Sequence, residues 1–288
     1  ASLRPWDGLS AKDRALYAKS MAVQAAMLET MDTEIGRLIT ELETNGQFEN
    51  TIFVVTSDNG PEPTHPIGEP GFTQWMALNG YDHNLETLGE RGSMVFIGPE
   101  WAFATASPSD LFKFYTTEGG LRVPLIMAGP GVPSGARRDG MAFVTDITPT
   151  LLDLVGVESP ADAFSGRSLT GLLSAEQVPA YGPQDPVGIE VSGNAALYKG
   201  DWKLVRNRPP WGDGQWKLFN LATDPGETQD LAEQEPDRLT AMKADYAAFE
   251  ARNGVLPMAE GYDIHQQISI NAQKKQLAHN GWRLVFLA

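Results

Sequence analysis

The segment that most constrains this chain is residues 45–60. Thr51, Ile52, Phe53, Val54, Val55 and Thr56 form an unbroken β-branched and aromatic run that enters Ser57-Asp58-Asn59-Gly60 directly. A run of that kind without alternation predicts a strand buried on both faces, as in a parallel sheet. Upstream, Leu28, Met31, Ile35, Leu38, Ile39 and Leu42 recur at three- and four-residue steps, which predicts a helix over about 11–44. Ser10 with Asp13 opens it as a variant capping box, and Asn45 with Gly46 closes it through a left-handed residue. A long helix feeding a buried strand is half of a βαβ unit. Open α/β sheets place ligands at the carboxyl ends of their strands, which directs attention to Asp58 and Asn59.

Residues 61–93 are rich in Pro, Gly and Asn and read as a long loop with at most one short helix. Residues 94–97 and 121–127 are short strand candidates, the second bearing Pro124 and therefore of edge or irregular character. Residues 144–155 read as a helix with Pro149 in its first turns. The composition then shifts: 176–188 looks like a linker. Beyond it the pattern becomes antiparallel, with a hairpin of 196–198 and 202–205 around Lys199-Gly200-Asp201, a strand over 216–221 and an amphipathic helix over 236–251. Residues 255–288 are weakly patterned. The expected architecture is α/β. Residues 1–178 would form part of a mixed, mostly parallel sheet sandwiched by helices. Residues 189–288 would form a smaller subdomain of antiparallel hairpin, helix and tail.

Composition narrows the function. Lys and Arg number 22 and Asp and Glu 37, a net charge of −15 over 288 residues. That balance argues against a general nucleic-acid binder and against docking on anionic membranes. No apolar run approaches a membrane span. Cysteine is absent, so disulfides, thiolate nucleophiles and Cys-ligated metals are excluded, while the compartment, periplasm or cytoplasm, stays open.

Asp58 and Asn59 supply a carboxylate and an amide oxygen at a strand end, a donor pair suited to Ca²⁺ or Mg²⁺. The competing reading is an ordinary Asp-Asn-Gly turn. Lys113 sits among Phe112, Phe114 and Tyr115 and reads from this window as a snorkelling surface group. His65 and His83 read as solvated loop histidines, and His265 and His279 form no metal spacing. Asp146 reads as a local helix cap and Arg122 as a partner for nearby acids. Trp75, Trp101 and Trp211 read as packing residues before they read as stacking platforms for an aryl group.

The ordered set TIFVVTSDNG, KFYTTEGGLRVPLIMAGPG, TDITPTLLDLVGV, GDWKLV and LFNLATDPGETQDLA resembles the carboxyl-terminal half of a type I sulfatase of the bacterial arylsulfatase branch, in the alkaline-phosphatase-like superfamily. The likeness extends over about residues 15–250. It implies hydrolysis of a small-molecule sulfate ester. It implies that Asp58 and Asn59 are ligands of Ca²⁺ (or Mg²⁺ or Mn²⁺), and that Lys113 contacts the sulfate ester and steadies the leaving group. A cation and an ammonium flanking the ester would neutralise charge building on the sulfuryl and aryl oxygens.

The family nucleophile, a formylglycine made from the first residue of C/S-x-P-x-R, has no counterpart here: no such motif occurs in the 288 residues. The reading is therefore a fragment that is inactive alone and that pairs with an N-terminal segment or a partner chain. Two alternatives remain: a phosphodiester or phosphonate monoester hydrolase of the same superfamily, and a non-catalytic domain. A sheet lacking its first strands should expose the apolar edges of 51–56 and favour association.

Overall fold

The computed structural model describes residues 2–67, 71–158, 160, 163–259, 261–262, 267 and 270–271. His265, His279 and everything beyond Asn271 lie outside the described residues. The fold is mixed α/β with two sheets, the second followed by a helix.

Helix α1 spans Ala11–Thr44, as its sequence signals predict. Ser10 Oγ accepts from the Asp13 amide at 3.1 Å, and at the other end the Gln47 amide reaches the Leu42 carbonyl at 2.8 Å across Gly46, φ 66°. This is a Schellman closure. Its first turns pack inward through Tyr17 and Ser20, whereas Leu28, Met31 and Leu38 of the apolar stripe are exposed.

Strand β1, Phe53–Thr56, corrects the burial expected of it. It pairs antiparallel with β2, Leu125–Ala128, in a two-stranded sheet, with Phe53 opposite Ala128 and Thr56 opposite Leu125. Phe53 and Val54 are half-buried and Val55 and Thr56 exposed. An apolar run states what a strand would bury, not what is there to cover it.

Other boundaries moved as well. Residues 94–97 form no strand: Ser93 makes an isolated bridge to Asp82, and Pro99 in the first turn starts helix α3, Gly98–Ala106, which follows α2, Phe72–Leu78. Pro fits a first helical turn because its missing N–H has no partner to lose there. Residues 118–121 form a single turn, α4, ahead of β2. The helix expected over 144–155 begins as a 3-10 turn at Val144–Asp146 and continues as α5, Ile147–Leu154. Asp146 caps the 3-10 turn by accepting from the Phe143 amide and makes no side-chain capping bond to α5; fully buried, it also accepts from the Arg167 amide and the Tyr181 hydroxyl. Helix α6, Thr170–Leu173, precedes the turn-rich linker.

The second sheet is antiparallel in the order β3-β4-β5-β6: Val187–Val191, Asn194–Lys199, Trp202–Arg206 and Lys217–Asn220. Strand β4 is buried from Asn194 to Tyr198. Alternation sends Ala195, Leu197, Leu204 and Leu218 to one face, where they meet Met242 and Tyr246 of α7, Pro236–Asn253. Ala196, Val205 and Phe219 form the other face, against Leu121. Tyr198 and Lys203, opposite each other in the β4–β5 register, share this second face. It looks toward the loops that follow β1 and precede β2.

Candidate active-site loops

Asp58 leaves the carboxyl end of β1 exposed to solvent, at one end of a cleft of about 810 Å³ that also contains Glu118, Arg122 and Tyr198. Asn59 is half-buried. Its side-chain nitrogen donates to the Gly60 carbonyl at 2.8 Å, which turns its Oδ1 the other way. Gly60 is buried, and its amide donates to the Gly120 carbonyl at 2.9 Å. A Cβ on Gly60 would lie 1.9 Å from the Gly119 oxygen, so only glycine lets these two turns meet.

Lys113 belongs to the same junction. Its amide donates to the Pro61 carbonyl at 3.0 Å, three residues beyond Asp58. Its ammonium pairs with Glu62 at 2.8 Å and lies 5.5 Å from the centre of the Phe114 ring. Glu62 is pushed up by burial, yet the Lys113 and Thr64 hydrogen bonds outweigh that and hold its carboxyl below the ordinary value. Leu111 and Phe114 bracket Lys113 with φ of 55° and 78°. Left-handed backbone at two non-glycine residues is strained and persists only where neighbours impose it. Here the second sheet does: Asn194 Nδ2 donates to the Phe114 carbonyl at 2.7 Å, and the Thr116 amide donates to Asn207 Oδ1 at 2.9 Å. The three sequence candidates Asp58, Asn59 and Lys113 thus sit on two loops hydrogen-bonded to each other.

The donor chemistry at Asp58 and Asn59 fits a hard divalent cation in part. Both offer oxygen, and no salt bridge occupies the Asp58 carboxylate among the described residues. Two donors fall short of the roughly six to eight that Ca²⁺ takes, and no group of three His, Asp or Glu completes a site among the described residues.

Beneath these loops lies a charge cluster that the sequence reading did not single out. Lys203, with no exposed surface, pairs with Glu118 at 2.8 Å and with Glu227 at 2.9 Å. Tyr198 donates to Glu118 at 2.6 Å, and the Glu118 amide donates to Glu227 at 2.5 Å. Arg122 reaches Glu118 at 4.0 Å, the acid partner expected for it. Burial raises the Glu118 carboxyl, but Lys203 and Tyr198 overcome this and leave it below its ordinary value. Burial dominates at Glu227 and at Tyr198, both of which are raised. The signal was present: Glu118, Lys203 and Glu227 each lie inside one of the E-G-G, G-D-W-K-L-V and D-P-G-E boxes. A lysine flanked by Trp202 and Leu204 in a strand of apolar residues is costly to bury unless paired.

The histidine reading is corrected. His65 and His83 are half-buried in an aromatic cluster: their rings pack edge-on at 5.6 Å, against Phe96 and, for His65, Tyr17. His83 Nδ1 bonds the Met94 carbonyl at 2.8 Å, while its Nε2 is buried without a partner among the described residues. Burial, then the neighbouring His83, lowers the pKa of His65. Trp211 packs on Phe112 and Trp101 on Trp6, as packing residues should, while Trp75 stands half-exposed against Tyr81.

The sulfatase family profile matches residues 7–157 of this chain. The chain belongs to the sulfatase family. A second profile, described as N-sulphoglucosamine sulphohydrolase, C-terminal, matches residues 111–245 and so joins the Lys113 loop to the second sheet. An uncharacterized sulfatase of Schizosaccharomyces pombe is 32% identical over 267 residues, covering 90% of this chain and 48% of that protein. An arylsulfatase of Klebsiella aerogenes is 31% identical over 182 residues, 60% of this chain and 39% of that one. The chain therefore spans about half the length, or less, of these relatives. Among solved structures, Ps i-CgsB in complex with k-i-k-neocarrahexaose superposes with a TM-score of 0.59 at 22% identity, covering 86% of this chain and 48% of that one. This sulfatase fold is the frame in which the two loops lie.

Proposed function

We propose that this sulfatase-family chain supplies the charge-neutralising side of a site that hydrolyses sulfate esters, with aryl sulfates as the substrate class. One observation carries the reading: the Gly60–Gly120 and Lys113–Pro61 hydrogen bonds tie Asp58, Asn59 and Lys113 into one junction. The likeness to the Klebsiella arylsulfatase supports the aryl preference.

Asp58 Oδ and Asn59 Oδ1 would hold the divalent cation, Ca²⁺ or a similar hard ion. When bound, that ion supplies positive charge toward the sulfuryl oxygens. Lys113 would hold a proton toward the oxygen of the departing group, so that an aryloxide leaves as its charge develops. Glu62 orients the ammonium until the ester takes up part of that interaction. The sulfate carries its own negative charge, so these cations act against the repulsive field of a chain with net charge −15. A nucleophile and a general acid or base would come from residues other than these.

The test uses a chromogenic aryl sulfate with Ca²⁺ present. In an enzyme form that turns it over, Lys113→Ala is expected to lower kcat about 10²–10³-fold, comparable to losing one oxyanion donor. An unchanged rate would return Lys113 to the surface role that its own sequence window suggests. The 288-residue chain itself, confirmed by mass, is expected to give no turnover; activity from it would require an internal nucleophile.

A further inference from the structure

We propose that Lys203 is a positioning residue for the Asp58–Asn59 loop, acting through Glu118 and the Gly119–Gly120 turn. The proposal rests on the reading of Asp58 and Asn59 as cation ligands, and it adds to that site a residue from a different sheet.

The chain of contacts is continuous. Lys203 Nζ lies in the interior, 2.8 Å from Glu118 and 2.9 Å from Glu227. Glu118 opens the turn that contains Gly119 and Gly120, and its own amide is fixed by Glu227. Its carboxylate is further held by the Tyr198 hydroxyl. The Gly120 carbonyl receives the Gly60 amide, and the Gly119 oxygen leaves no room for a side chain on Gly60. Asn59 precedes Gly60, and Asp58 precedes Asn59. Each link is a short polar contact or a backbone in tight contact, with no rotatable side chain between Glu118 and Gly60. Without the ammonium, two buried carboxylates would face each other, and their repulsion would load the turn that Glu118 opens.

The cluster is not needed simply to close the second sheet. Its apolar face toward α7 is filled by Leu197, Leu204, Leu218, Met242 and Tyr246, on the side opposite Lys203. Lys203 faces the site loops instead. Charged residues held against metal-binding loops commonly tune ligand orientation, and their loss costs about 10–100-fold in metal affinity or activity.

The experiment compares Lys203→Met with Leu204→Ala, which damages the opposite face of the same strand, in the full chain. The readout is amide hydrogen exchange at Gly60 relative to amides of β4 and β5. Lys203→Met is expected to speed Gly60 exchange at least about tenfold beyond any change in β4 and β5, through local opening of the Gly60–Gly120 hydrogen bond. Leu204→Ala should leave that ratio unchanged. If Lys203→Met does not fold, the charge-free triple Lys203→Met/Glu118→Gln/Glu227→Gln removes the unpaired buried carboxylates, and in it Gly60 exchange should still rise relative to β4 and β5 because the Lys203–Glu118 tether is gone. Equal ratios in the Lys203 and Leu204 variants would overturn the proposal. The ligand reading is checked separately by Asp58→Ala in a form that binds Ca²⁺. Unchanged Ca²⁺ affinity there, with Gly60 still released by Lys203→Met, would remove the ligand assignment and leave the mechanical link standing.

Discussion

The two sheets of this protein are made from similar residues and end in opposite situations. In the four-stranded sheet, β4 is buried along almost its whole length, with apolar neighbours on both faces. In the two-stranded sheet, Val55 is 42% and Ile126 61% exposed, although the run around Val55 is as β-branched as any in the chain. The difference lies in what each sheet has to pack against. The larger sheet has α7 on one side and the Leu121 turn on the other. A two-stranded ribbon is marginal alone and needs a third layer. The stripe of α1, with Leu28, Met31 and Leu38 exposed, repeats the contrast. Burial is a property of the neighbourhood, and the candidate active site sits where the well-covered sheet meets the poorly covered one.

The largest effects that would sharpen this contrast are core truncations. Leu218→Ala, at a position with no exposed surface, is expected to cost about 2–5 kcal/mol in urea denaturation. Leu38→Ala, in the α1 stripe, is expected to stay within about 0.5 kcal/mol. If Leu38→Ala matched Leu218→Ala, the stripe would be covered in solution, and sedimentation of the wild-type chain should then reveal an associated species.

A smaller effect is expected at the start of α1. Local capping adds to the packing there, and Ser10→Ala should lower stability by about 1 kcal/mol through loss of the bond to the Asp13 amide. Retained helicity and an unchanged unfolding midpoint would show that Tyr17 and its neighbours suffice.

The smallest effect concerns pH and the histidine pair of the loop cluster beside α1. Burial lowers the pKa of His65 from its ordinary value of 6.5. Below that pH the unfolded chain binds a proton that the folded chain resists, so stability falls as pH drops from about 6.5 toward the folded value. His65→Phe should flatten the change in urea midpoint between about pH 7.5 and pH 5.5. An unaltered slope would mean that His65 protonates as readily folded as unfolded.

Several elements were legible in the residues alone, because their determinants are local. Ser10, Asp13 and Gly46 mark α1 to the residue at both ends, since caps satisfy backbone groups within a few positions. The β4–β5 hairpin follows from alternation and a Gly-Asp turn, and α7 from its period and its acidic first turn. Asp58, Asn59 and Lys113 were legible as candidates, through their motif context more than through their own windows. The covering of β1, the packing of His65 on His83 and the burial of Lys203 were decided only in three dimensions. The strand around Lys203 does not decide what surrounds its ammonium. Whether it meets water or two carboxylates depends on Glu118, 85 residues earlier, and Glu227 in a third segment. An ammonium is stable in the interior only when the fold delivers its partners, and their delivery is set by chain topology, which no local window contains.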